Sequence, residues 1–145
     1  MATSNFLDAN VLLALLWGRH IHSETARSWI EQSRDDEFYF CRFAQLTVLR
    51  LLTTEKIMRE DTRTMAEAWD AWDQLLNSAL IELVPEPQTL EQEFRSRSRL
   101  ASRSPKVWAD AYLLAFASVA GLRLVTFDRA LKVRGVDVLV LQSMS

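Results

Sequence analysis

Between Val107 and Gly121 the chain reads VWADAYLLAFASVAG, and twelve of these fifteen residues are apolar, counting Trp and Tyr. A helix that is apolar on nearly every side is a buried one. One charge interrupts it, Asp110. The residues at helical spacing around Asp110 are Lys106, Val107, Leu113, Leu114 and Ala117, so its surroundings are mostly hydrocarbon. A carboxylate there is costly unless it is paired, hydrogen-bonded or bound to a metal. Either Asp110 is a structural residue satisfied by nearby backbone or an Arg, or other carboxylates reach the same point from elsewhere in the chain.

The rest of the chain alternates short apolar runs with helical periodicity. Ser4 to Leu7 reads as a buried strand ending in Asp8, followed by a helix from about Asn10 to Trp17, with Gly18 as its closing residue. Ser23 is an N-cap for SETARSWIEQSR, whose thin apolar side suits an outer helix. A strand at Glu37 to Cys41 precedes the helix AQLTVLRLLTTEK, with Leu46, Val48, Leu49 and Leu52 facing inward. Asp61 can cap a long helix in which Met65, Ala68, Trp69, Trp72, Leu75, Leu76 and Ala79 recur at three- and four-residue steps. Strands follow at Ile81 to Val84, Arg123 to Thr126 and Val136 to Leu141. Between the first two of these lie an Arg-rich helix, opened by a Thr89/Gln92 capping box and running to about Ser102, and the Asp110 helix. At 145 residues, with no repeat or linker, residues 1–145 read as one domain. Strands separated by helices predict an α/β protein with a parallel sheet covered on both faces.

In such sheets a ligand crevice lies beyond the carboxyl ends of the strands, where strand order reverses. Asp8 follows the first strand and Asp128 the fourth, and Asp110 lies in the helix preceding the fourth. Asp8 could simply cap its helix, and Asp128 the turn RALK. Caps do not account for Asp110. Three carboxylates in one pocket raise one another's pKa, and a hard divalent cation relieves the conflict. Oxygen-only ligands point to Mg2+ or Mn2+, which activate water and neutralise phosphate charge.

Other features are weaker. The single Cys41 excludes an intramolecular disulfide and a Cys-based zinc cluster. His20 and His22 lack further zinc ligands and fit a helix entry or surface loop. There is no Gly-rich phosphate loop and no nucleophile elbow. The net charge of −2 gives no global basic field, so nucleic acid would need a local patch. RSRSRLASRSPK is such a patch, with Arg95, Arg99 and Arg103 at four-residue steps, either a solvated face or phosphate contacts at the crevice mouth. Leu13, Leu16, Trp17 and Trp29 exceed what outer helices need for packing and suggest a groove for a partner helix. No basic, apolar leader and no run of about 18 apolar residues is present, so a cytoplasmic setting without membrane contact is expected.

FLDANVLLALL, VWADAYLLAFA and LVTFDRAL, in that order and spacing, resemble the PIN-domain ribonucleases, specifically the VapC-type toxins of bacterial toxin–antitoxin pairs. The resemblance implies a three-layer α/β/α sandwich around a mainly parallel five-stranded sheet, a Mg2+- or Mn2+-dependent endoribonuclease site, homodimerisation, and inhibition by a cognate antitoxin. By motif, Asp8, Asp110 and Asp128 would be the acidic catalytic and metal ligands. Asn10 and Thr126 would support them, Thr126 as the hydroxyl beside the last acid. One departure stands out: the helix after the second strand, where the family places a Glu, reads FAQLTVLRLLT. Thr47 falls at that position in the register adopted, with Gln45 nearby, which predicts one tight metal rather than two. Two rivals are a PIN-like protein acting only by partner binding and a receiver-like phosphoacceptor module. The latter wants paired acids after the first strand and a Lys after the last. LDAN supplies one acid, and QSMS follows the last strand.

Overall fold

The computed structural model describes residues 2–142; 143–145, part of the QSMS stretch, lie outside them. The elements in chain order are β1 (Ser4–Leu7), α1 (Ala9–Leu16), α2 (Ser23–Gln32), β2 (Glu37–Phe40), α3 (Arg42–Leu52), α4 (Glu55–Met58), α5 (Met65–Ala79), β3 (Ile81–Leu83), α6 (Leu90–Ser98), α7 (Val107–Ala120), β4 (Arg123–Thr126) and β5 (Val138–Val140). The five strands form one sheet in the order β3-β2-β1-β4-β5, and every neighbouring pair is parallel. The chain therefore winds outward from β1 in one direction and from β4 in the other, and order reverses between them. Helices α1, α2, α3 and α5 pack on one another, and α6 packs on α7. This is the expected α/β/α sandwich. Among the described residues no helix is long and apolar enough to cross a membrane.

Burial explains why β1 sits at the centre. Phe6 and Leu7 are fully buried, and so are Leu124 and Val125 of β4. Phe6 stacks on Phe116 of α7 with ring centroids 4.5 Å apart, pinning that helix to the sheet. The apolar character of α7 is spent as predicted along Ala111 and Leu113 to Ala117, all buried. Gly121 closes it at φ 68°, a left-handed conformation that glycine adopts without a Cβ penalty. The first turn departs from the expectation of burial all round: Trp108 is 61% exposed and Asp110 is only half-buried.

Several local expectations are corrected. Helix α1 ends at Leu16, and Trp17 caps it in an extended conformation, so Gly18 is not a left-handed terminator. The N-cap of α2 is His22, with Ser23 already helical and buried. Helix α3 starts two residues early, at Arg42, and its inward face is Ala44, Gln45, Val48 and Leu52, which leaves Leu46 62% exposed. The N-cap of α5 is Thr64, not Asp61, because Thr64 and Glu67 complete a reciprocal capping box. Its buried face is Ala68, Trp72 and Leu75, whereas Met65 is 77% and Trp69 47% exposed. Thr89 makes no side-chain cap to α6, and that helix stops at Ser98. The last strand is shorter than expected, and Val136 is buried ahead of it.

Candidate active site at the carboxyl ends of β1 and β4

Register places Leu7 beside Val125, so Asp8 and Thr126 leave the sheet side by side at the point where strand order reverses. The Asp8 amide donates to the Val125 carbonyl at 2.9 Å, extending the ladder by one rung. Both acids do cap. Asp8 Oδ1 accepts from the Ala9 amide at 2.7 Å, and Asp128 Oδ1 accepts from the Ala130 amide at 2.9 Å. Neither cap uses the second oxygen, which in Asp8 accepts from the Thr126 hydroxyl and in Asp128 lies 3.7 Å from Lys106 Nζ.

Thr126 is the hub. Its hydroxyl, fully buried, donates to Asp8 Oδ2 at 2.7 Å and accepts from the Asp128 amide at 3.0 Å. Asn10 closes the arrangement from α1: its Nδ2 approaches the Thr126 hydroxyl at 3.4 Å, and its Oδ1 accepts from the Phe127 amide at 3.3 Å. One residue on each side of the strand-order switch thus fixes the other.

Electrostatics bring Asp110 into the same group. Burial holds the Asp8 carboxyl above the usual range against the hydrogen bonds from Thr126 and Ala9, and the Asp110 and Asp128 charges push it further up. Burial likewise raises Asp110, the Asp128 charge adds to it, and Lys106 opposes it. Lys106 was foreshadowed only by its place four residues before Asp110. Its Nζ lies 3.7 Å from Asp128 Oδ2, a cation at the mouth of an acidic crevice. Among the described residues, no three His, Cys, Asp or Glu side chains are already arranged to hold a metal. The donor set, however, is hard carboxylate oxygen with like charges held together and one Lys for compensation, which suits Mg2+ or Mn2+ far better than zinc.

The remaining predicted residues are placed differently. Thr47 donates to the Phe43 carbonyl at 3.0 Å and lines an apolar groove with Leu46, Met65 and Trp69, away from the hydrogen-bonded acids. Gln45 is the buried residue of that turn, bonded to Arg42 Nη1 and one helical turn beyond Cys41, whose thiol, raised chiefly by burial, also feels the Asp8 charge. The buried polar residue of α3 is thus Gln45, two positions before Thr47 and on a different side of the helix. Arg95 pairs with Glu91 at 2.6 Å, Arg99 follows the end of α6, and Arg103 lies in the loop beyond. They do not share a helical face. Of the expected partner groove, Leu13 is buried in the core, Leu16 packs against it, Trp17 Nε1 donates to Asp61 Oδ2 at 3.0 Å, and Trp29 packs edge-on against Phe38. Part of their apolar surface is used internally, and Leu16, Trp17 and Trp29 stay half-buried. His22, expected at a helix entry, does occupy one, and its ring stacks on Phe127 at 4.3 Å, beside Asp128.

A parallel α/β/α sandwich with an acidic crevice at its switch point defines a broad class, and comparison with known proteins narrows it. The PIN domain family model matches residues 6–136. Ribonuclease VapC41 of Mycobacterium tuberculosis is 38% identical over 128 residues, covering 85% of this chain and 88% of that protein. Ribonuclease VapC44 of the same species is 32% identical over 143 residues, covering 90% and 89%. Among solved structures, VapBC2 from Rickettsia felis bound to a promoter DNA fragment superposes with a TM-score of 0.66 at 9% identity, covering 97% of this chain and 100% of that one. The chain belongs to the PIN-domain family, in its VapC branch.

Proposed function

We propose that this protein is a metal-dependent endoribonuclease acting as the toxin of a toxin–antitoxin pair, with Asp8, Asp110 and Asp128 as its metal-holding and catalytic carboxylates. The observation that carries the reading is the placement of Asp8 and Asp128 at the β1/β4 switch point, joined through the Thr126 hydroxyl, in a chain of VapC kinship. Bound there, Mg2+ or Mn2+ would supply Lewis acidity toward a phosphodiester oxygen and a lowered pKa for the attacking water. The chain's own residues do the rest. Thr126 orients Asp8 and, through the Asp128 amide, sets the spacing of the two strand-end acids. Asn10 locks α1 to the loop bearing Asp128. Lys106 offsets negative charge at the mouth, where an RNA phosphate would approach. Hydrolysis by water would leave a 5′-phosphate and a 3′-hydroxyl.

RNA as substrate, a cognate antitoxin, a second copy of the chain and a cytoplasmic setting belong to the same reading. Support for protein partners comes from an apolar groove of about 500 Å3 between α3 and α5, with Phe43, Leu46, Met65 and Trp69 on its walls. Leu46 and Met65 are mostly exposed there, a surface that soluble proteins usually cover. The direct test is RNA cleavage by the purified chain with Mg2+ or Mn2+ and with excess chelator. Activity that survives the chelator, or that survives Asp8→Asn, contradicts the assignment.

A further inference from the structure

We infer that the cavity at the start of α7 is a nucleotide subsite, in which Trp108 stacks a base of the strand whose phosphodiester lies at the carboxylate crevice. The inference rests on the RNA-cleaving reading above and adds to it how the strand is gripped. The cavity, about 260 Å3, is lined by Ser98, Leu100, Arg103, Ser104, Pro105 and Trp108 among others. Trp108 is 61% exposed, the most exposed Trp of the chain, on a helix whose other apolar residues are buried or half-buried. Core packing does not call for it. Phe94 meets it edge to face with centroids 6.2 Å apart, which steadies the ring on one side only. A steadied, exposed aromatic ring is a stacking platform for any base.

Charge and continuity favour a nucleic-acid occupant. Arg95 and Arg97 are neutralised by Glu91 and Glu93, but Arg103 forms no ion pair among the described residues and borders the cavity. Lys106, two residues before Trp108, reaches Asp128, and Asp110 lies two residues after it. Lys106 caps α7, and Trp108 and Asp110 stand in its first turn, the ring on the side of the helix away from Lys106 and Asp110. A strand with one phosphate at the acids would pass around the start of α7 to set a base on the ring, and Arg103 borders the cavity for a flanking phosphate.

The test is binding of a fluorescent single-stranded RNA oligonucleotide to the full chain in chelator, followed by anisotropy across a salt series. Trp108→Ala should weaken binding about tenfold, as loss of one base–aromatic stack does, without changing the salt slope. Trp108→Phe should recover most of the loss. Arg103→Ala should flatten the slope by about 0.7, one phosphate contact on a single strand. Independently of any variant, single abasic sites walked along the oligonucleotide should reveal one position that costs wild-type protein the same tenfold. Binding by Trp108→Ala within twofold of wild type, or no sensitive abasic position, overturns the subsite alone. Wild-type protein that binds no RNA overturns both the subsite and the reading beneath it.

Discussion

Replacing Thr126 by Val removes one oxygen at nearly constant shape, and the structure says what that oxygen does. Its hydroxyl gives a 2.7 Å hydrogen bond to the Asp8 carboxylate and takes one at 3.0 Å from the Asp128 amide, all in a fully buried position. A hydrogen bond to a charged group contributes about 1.5–3 kcal/mol, and an orphaned buried donor costs about 1–3 kcal/mol. The 3.4 Å approach of Asn10 adds little at that length. Thr126→Val should therefore destabilise the metal-free protein by about 3 kcal/mol, a fall of about 10 °C in Tm for a chain of this size. The loss should also depend on pH. The folded-state pKa of Asp8 already lies above its ordinary 3.8, so ionising it costs stability as pH rises through the window between the two values. Thr126 moderates that cost, and without it the folded pKa climbs further. The deficit should be largest at neutral pH and shrink as pH falls through the folded-state pKa of Asp8, where its carboxyl takes up a proton. Chemical denaturation in chelator at pH 4.5 and 7.5 measures both quantities. A deficit below about 1 kcal/mol at pH 7.5, or one equal at the two pH values, refutes the hub role.

Three further outcomes follow from the same geometry. Asp110→Asn should abolish RNA cleavage while Tm in chelator stays equal or rises, because a charge disfavoured by burial and by Asp128 is removed; a cleaving variant, or a large fall in Tm, opposes this. Calorimetry should find one tight Mg2+ or Mn2+ site in the free protein, and Gln45→Glu, not Thr47→Glu, should strengthen divalent-ion binding, since Gln45 is the inward residue of α3. Two equally tight ions on the wild-type protein would mean that another acid serves. Leu46→Asp should leave Tm within about 0.5 kcal/mol equivalents, as exposed positions do, yet weaken any protein association that uses the α3/α5 groove; unchanged association by light scattering removes that groove from the account.

The parallel five-stranded sheet and the places of Asp8 and Asp128 at the ends of its first and fourth strands were legible because they rest on local signals. Period and length give the strands, the apolar run gives α7, and the switch-point rule places Asp8 opposite Asp128 without any contact information. Faces of the surface helices were not legible to the same degree. The start of α3 hides in CRFAQ, where no residue makes a side-chain cap, so its onset was set two residues late and Leu46 was turned inward. In α5 the seven apolar positions span more surface than the neighbours cover, and Met65 and Trp69 fall outside. Leu13, Trp17 and Trp29 looked surplus, but long-range partners, the core, Asp61 and Phe38, account for them. The Glu91–Arg95 pair follows from four-residue spacing, but spacing alone could not reveal that Lys106 turns back to Asp128. Pairings of long side chains depend on where a helix stops, and α6 stops before Arg99.

The central claim is hydrolysis of RNA by water at the Asp8–Asp110–Asp128 crevice with a divalent ion. Its most direct measurement is the chemistry of the new RNA ends made by wild-type protein in Mg2+ or Mn2+, compared with Asp128→Asn and with wild type in chelator. Wild type with metal should give 5′-phosphate and 3′-hydroxyl termini, and the other two should give no cleavage. Cyclic 2′,3′-phosphate termini, or equal cleavage by Asp128→Asn, would contradict it.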